Sequence, residues 1–463
     1  KLDEIINTKN GPEIDRKYWG LIFENCIKPF VKTLRDVSRI VNVFQFRYGI
    51  LWEEICVEEI IALSVLDVLE PNLYKWISMN KDSVCESRIH ALMSNNNIRD
   101  KYILEFKELG IDSKIALKAI STIFPVFAKD VGEYVYIDYS EKEKKQGQMR
   151  LLQSERFNTF FLFDLKQVKV PRRIILDFIN NYNMEEIDET LISLNDEIKM
   201  PFFLRELRTL LSESNYDRIE LLISSLYRNK LKLVGKNNMI VFSFSSSEMA
   251  EYCIIDLLKL LKTDKERELI IKEQICSGDL NLLASVSMTM ATINNDYIDS
   301  NENTNNKKID LSQEQYETLK SEYVKAINMY IKNDSIINNK EFHTMFYLWK
   351  IFDKRNADEF MKNCLKNKEN CLRFICRRSG IWTGTNGYGW SYNIIKDENY
   401  ISYEELYDIV ISYDKQKLLK NFTELEQIQL ASFVLNYKRI EMEHANIDEA
   451  KELIVKWKNG TDD

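Results

Sequence analysis

The sequence predicts a mainly α-helical protein: a lid-like helical bundle, then a larger helical region with a minor β-hairpin. Three observations lead there. Glycine and proline are scarce, 13 and 6 in 463 residues, and sandwiches or α/β sheets need many more such breakers for their turns. Apolar residues recur at helical i, i+3, i+4, i+7 spacing along much of the chain. Thr33, the stretch Ser245-Ser246-Ser247-Glu248 and the stretch Asp310-Leu311-Ser312-Gln313-Glu314 stand just ahead of such runs, where a side-chain oxygen can take a backbone N–H that the first helical turn leaves unpaired.

Taken in order, residues 1 to about 20 form a polar approach with a turn at Asn10-Gly11-Pro12. Residues 21–48 read as two helices. In the second, Val37, Ile40, Val41 and Phe44 make the apolar stripe, Asp36 suits the dipole of the first turn, and Gly49 is placed to end it. Residues 58–69 are apolar nearly all round, which predicts a helix buried on several sides. Pro71 breaks the run and Tyr74-Lys75-Trp76-Ile77 restarts it. Two or three helices follow over 84–130, with Gly110 as a stop and 115–126 as core. Tyr134-Val135-Tyr136-Ile137 reads as a short β-branched run, 141–147 as a charged loop, and Phe157, Phe160, Phe161 and Phe163 as an aromatic core plug.

Helical patterning resumes over 170–228, with Pro171 and Pro201 at helix starts. Leu231-Lys232-Leu233-Val234 and Ile240-Val241-Phe242-Ser243-Phe244 alternate around Gly235-Lys236-Asn237-Asn238, a hairpin signal. Ser245-Ser246-Ser247-Glu248 caps the next helix, Met249 to Leu261, one or two more follow to 298, and 294–310 is a polar stretch that reads as a loop or linker. Asp310-Leu311-Ser312-Gln313-Glu314 carries a capping signature and opens helices that continue to about Ser379. Residues 403–458 give three more helical segments. The expected organisation is therefore a lid-like helical domain over 1–130, a helical domain with short strands over 131–293, and a C-terminal helical domain over 310–463.

With 45% hydrophobic and 29% charged residues the chain can bury a large core. Its net charge of -8 argues against a dedicated nucleic-acid binder, whose phosphate contacts would show as a basic excess. Eight scattered cysteines without a C-x-x-C pair read as free thiols of a reducing cytoplasm, and Cys364, Cys371 and Cys376 with His343 lack zinc-ligand spacing. No long apolar run marks a membrane span. Histidines His90, His343 and His444 stand far apart, without a nucleophile pairing. Gly384-Thr385-Asn386-Gly387-Tyr388-Gly389 lacks the lysine of a phosphate loop and reads as an aromatic-flanked structural loop between Trp382 and Trp390, or as a partner-binding loop.

Arg35 and Arg39 sit four apart on one helix face. Two readings stand for the pair. It is a solvated face or an ion-pair partner for Glu53, Glu54 or Glu58; or one guanidinium reaches the terminal phosphate of a nucleotide held by a neighbouring domain, as its planar donor fork suits. Glu53-Glu54 and Glu58-Glu59 in turn read as solvated charge or as partners of Arg35, Arg39 and Arg47. Arg373, Arg377 and Arg378 share a helix face that could grip an anionic partner.

Residues 23–76 resemble the lid that follows the nucleotide-binding core in the KAP family of P-loop NTPases. Those proteins carry a T-P-R-D-V-K-R-F-x-N helix, a F-x-F-R-Y turn, an acidic stretch, and a helix ending F-E-P-x-x-Y. This chain has Thr33-Leu34-Arg35-Asp36-Val37-Ser38-Arg39-Ile40-Val41-Asn42, then Phe44-Gln45-Phe46-Arg47-Tyr48, the acids of 53–59, and Leu69-Glu70-Pro71-Asn72-Leu73-Tyr74. It departs at Leu34, where the family has proline, and at Ser38, usually basic. The phenylalanines of 157–163 resemble a F-x-x-Y-F-x-F segment behind the same lid.

The resemblance implies a C-terminal regulatory and sensor region whose lid closes on ATP and Mg held by an N-terminal P-loop core. Arg35 would sense nucleotide, with Arg39 second to it. Leu2-Asp3-Glu4-Ile5-Ile6 would be the tail of that core, so a fragment or processed product of an oligomeric ATPase is expected, with no cofactor for this chain alone. The resemblance also implies a protein partner and a role in bacterial antiphage defence. A nucleotide-independent helical scaffold or adaptor is the alternative.

Overall fold

The computed structural model describes residues 2–9, 14–85, 95–133, 149–151, 154–163, 168–233, 245–293, 309, 311–331, 335–384, 387–392, 400–439 and 444–460. The Asn10-Gly11-Pro12 turn, the 134–147 run and loop, the second half of the 231–244 hairpin, nearly all of 294–310, and His90 lie outside them. The protein is mainly α-helical, with one two-stranded antiparallel hairpin among the described residues. No helix among them is long and apolar enough to cross a membrane.

The helices begin where the capping chemistry places them. Thr33 with Asp36, Ser245 with Glu248, and Ser312 with Gln315 form reciprocal capping boxes, each satisfying two N–H groups of a helix start. Pro71 is the first residue of the Pro71–Met79 helix, and Pro171 precedes Arg172–Asn180. Gly110, at φ 73°, closes the Asn95–Glu108 helix, the Ile111 N–H reaching back to the Phe106 carbonyl. Gly49 does not end its helix: Leu34–Leu51 runs past it, because buried Tyr48 and Leu51 continue the apolar stripe into the core.

The chain forms two compact units, Lys1–Tyr182 with Phe202–Ser214, and Asn183–Pro201 with Asn215–Asp463. The three-part division drawn from the sequence has other boundaries. Residues 149–182 and 202–214 join the N-terminal helices rather than a separate domain.

The first unit is built around Val57–Leu69, buried from Val57 to Leu66. Leu34–Leu51 and Pro71–Met79 pack against it, and Trp76 nests among Tyr102, Phe106 and Phe127 at 4.9–6.1 Å. Leu2–Ile6 is a short helix. Phe157 and Phe160 are core, as expected, while Phe161 and Phe163 are half-buried.

In the second unit, packed helix pairs include Ile219–Asn229 with Ser246–Leu260, Leu280–Ile293 with Phe342–Phe352, and Lys368–Arg377 with Glu424–Tyr437. Leu231 and Lys232, expected to begin a strand, lie in the 3-10 turn Lys230–Lys232. It places Lys230 in the interior, its Nζ on Glu251 Oε2 at 2.5 Å and on the Ser285 carbonyl. Among the described residues the hairpin lies where a loop was expected: β1, Ser379–Gly384, pairs with β2, Gly387–Tyr392. Among the described residues the 403–458 tail holds four helices rather than three, Tyr403–Ser412, Lys415–Asn421, Glu424–Tyr437 and Ile447–Asn459.

Candidate functional site

The arginine helix starts at a tight cap. Thr33 Oγ1 accepts the Asp36 N–H at 3.2 Å, while Asp36 Oδ2 accepts from the Thr33 N–H at 2.8 Å and the Lys32 N–H at 3.2 Å. The Asp36 carboxylate is thereby committed to its own backbone. Arg35 is exposed in this first turn, and no acceptor among the described residues engages it. Leu34 beside it is 87% exposed. Arg39 is also exposed, but its Nη2 donates to the Val68 carbonyl at 3.3 Å. That carbonyl is in the last turn of Val57–Leu69, one of the groups that a helix end leaves without an internal partner. Arg39 therefore braces two helices, and Arg35 is left to the outside.

The acidic run is not the solvated charge that the sequence suggested. Glu54, Glu58 and Glu59 are buried, and neither Arg35 nor Arg39 reaches them. Glu59 Oε1 accepts from the Tyr18 hydroxyl at 2.7 Å and from Arg150 Nε, and its Oε2 from the Leu151 N–H at 2.6 Å. The Arg150 guanidinium lies over the Tyr18 ring at 3.4 Å, and burial pushes the Tyr18 phenol well up. Glu58 accepts the Asp15 N–H at 2.9 Å.

Glu54 accepts the Arg172 N–H at 2.9 Å and faces Arg156 at 3.6 Å; Arg156 also holds Glu206 at 2.7 Å. Burial raises the Glu54 carboxyl above its usual range, against the pull of Arg156. Arg47 pairs with Asp67 at 2.9 Å and with the Tyr74 hydroxyl at 2.9 Å, under the Tyr74, Phe160 and Phe163 rings. These groups are saturated with one another, so they brace the unit and present no reactive atom. One sequence signal did point to them. Two adjacent carboxylates on a helix apolar all round must find buried donors.

The basic face at Arg373, Arg377 and Arg378 is likewise spent internally. Arg373 pairs with Glu369 at 3.0 Å and lies over the Phe422 ring at 4.8 Å. Arg377 donates to Glu426 at 2.9 Å and to the Asn338 carbonyl at 3.1 Å, and Arg378 contacts His343. The anion grip considered from the sequence is therefore not what this face offers. Glu426 is the acceptor common to Arg373 and Arg377. Partial burial works against its ionisation, but the Thr423 bonds and Arg377 prevail and hold its carboxyl below the usual range.

A depressed acid contributes stability above its unfolded value and loses it as pH falls through the folded one. Replacing Glu426 by glutamine is expected to lower stability at neutral pH by about 1–3 kcal/mol. The gap to the unmodified protein closes as pH drops below about 4. Urea denaturation at several pH values reads it.

All eight cysteines are unbridged, and only Cys276 is exposed. Among the described residues no group of His, Cys, Asp and Glu could hold a metal ion. The Asn95–Glu108 helix borders two open depressions, of about 730 Å³ beside Asn80 and Glu105 and about 450 Å³ beside Arg99 and Asp112. Neither gathers a nucleophile with a base. Protein-family models, curated proteins and solved structures yield no match to this chain.

Proposed function

We propose that the chain is the C-terminal lid and sensor region of a KAP-like P-loop NTPase, in which Arg35 reads the terminal phosphate of ATP held, with Mg, by a separate nucleotide-binding core. The observation that carries this reading is the state of Arg35. It projects from a capped first turn with no acceptor among the described residues, whereas Arg39, Arg47, Arg150 and Arg156 are all engaged. A free guanidinium at an open helix start is suited to an anion that arrives on another body. The ordered likeness of residues 33–74 to the family's lid supports the same reading. The helical remainder would sense a protein partner in the cytoplasm, in a cell that uses the assembly against phage.

The test is ATP hydrolysis by the NTPase that contains this lid. Arg35→Ala is expected to lower kcat by about 10²-fold or more, on the scale of arginine contributions to phosphoryl transfer, while Arg39→Ala lowers thermal stability first. The chain alone is expected to show no ATP binding by calorimetry. Unchanged hydrolysis in the Arg35 variant, or tight ATP binding by the chain alone, overturns the reading. It would leave a nucleotide-independent scaffold.

A further inference from the structure

Among the described residues, the hairpin of the second unit has one side that is met by other groups and one side that is not. Its register runs from Ser379 opposite Tyr392 to Gly384 opposite Gly387. Gly384 and Gly387 flank a two-residue connection, so they form a hydrogen-bonded pair. Alternation then turns the N–H and C=O groups of Trp390 in β2, and of Ser379, Ile381 and Thr383 in β1, away from the partner strand.

On the β2 side these groups are met. Asn436 Nδ2 donates to the Trp390 carbonyl at 2.7 Å, and a bridge joins Gly389 to Asn446. On the β1 side no described residue bonds the outward backbone groups of Ile381, whose side chain is 64% exposed. The strand Ser379-Gly380-Ile381-Trp382-Thr383-Gly384 carries no charge and no proline. Exposed edges are usually guarded by lysine, proline or a bulge, because a bare row of donors and acceptors templates another strand.

We infer that the outer edge of β1 is the pairing surface for β1 of a second copy of this chain, the two edges running antiparallel about a two-fold axis centred on Ile381. What fits a strand edge is another strand edge. Among the described residues β1 and β2 are the only strands, and β2 is closed, so the free edge that a copy brings is its own β1. Antiparallel self-pairing sets Ile381 against Ile381, each donating its N–H to the other's carbonyl, and Ser379 against Thr383 on either side. The two isoleucine side chains then shield each other. The protein's net charge of -8 would set acids against acids in many symmetric contacts, but β1 brings no like charges together. A two-fold contact of this kind closes on itself and stops at the dimer.

The experiment is sedimentation equilibrium of the full chain over a concentration series, with amide hydrogen exchange of peptides covering 379–384. The expected result is a reversible monomer–dimer equilibrium, with Ile381 and Thr383 amides protected only as concentration rises. Ile381→Pro removes an outward donor while leaving the β1–β2 bonds, which Ile381 does not make. Ile381→Lys restores the missing guard. Both are expected to weaken dimerisation about tenfold or more with unchanged helicity. A monomer at every concentration overturns the inference. So does protection that is independent of concentration, which would mean that another segment of the same chain covers the edge. A dimer indifferent to both variants overturns it as well.

Discussion

Replacing Glu59 by alanine is expected to destabilise the first unit by about 3–5 kcal/mol, the usual cost of breaking a buried ion pair from one side. The substitution strips an acceptor from the Tyr18 hydroxyl, from Arg150 and from the Leu151 N–H together. Arg150, itself 6% exposed, then loses the carboxylate it hydrogen-bonds. The change is a large fraction of the stability of an ordinary domain, about 5–15 kcal/mol. Urea denaturation of the full chain, followed by circular dichroism, measures it. Joint replacement of Glu59 by leucine and Arg150 by methionine is expected to cost less than Glu59→Ala alone, since it removes both charges and keeps the volume. A single variant as stable as the unmodified protein would show that the pair contributes nothing.

Adding one carbon at Gly389 is expected to have a comparable effect in the second unit. A Cβ there would sit 2.1 Å from the Ala445 carbonyl oxygen and 3.3 Å from its carbon. Both are backbone atoms, so no rotamer change relieves the clash. Gly389→Ala is expected to cost about 1–3 kcal/mol, the range for overpacking, and Gly389→Val more. The bridge from Gly389 to Asn446, the residue that caps Ile447–Asn459, has to open to make room. Gly380→Ala is the control, because its Cβ would meet Ser391 Oγ at an ordinary 3.7 Å. Thermal unfolding compares them, and equal melting temperatures would refute the packing account.

Much of the helical frame is legible in the sequence because helix starts are local events. The capping signals at Thr33, from Ser245 and around Ser312 each act on residues within one turn, and each marks a start in the structure, whereas Pro71, read only as a break, is itself the first residue of its helix. The same local logic places Arg35 and Arg39 on an open face. It does not distinguish them, since Arg39 is tied down by a carbonyl 29 positions away.

Long-range partners explain the other misreadings. The acids at 54, 58 and 59 look solvated until Arg150 and Arg156 are folded onto them. The arginines at 373 and 377 look like an anion site until Glu426 arrives from a distant helix. The hairpin escaped for a different reason. Gly380, Gly384, Gly387 and Gly389 dilute the alternation of β1 and β2, so the segment read as a loop, although Asn386-Gly387 is a turn signal.

The interlocked acids and bases of the first unit also bear on the order in which it can be made. Glu54 and Glu59 leave the ribosome well ahead of their counter-ions, since Arg150 lies 91 residues after Glu59 and Arg156 lies 102 after Glu54. A nascent chain must therefore hold its central helix open, or shielded, until residue 206 has emerged to complete the set with Arg156. Shortened versions that stop near residue 130 would strand these carboxylates in an apolar interior, whereas a cut placed after Ser214 keeps every one of them neutralised.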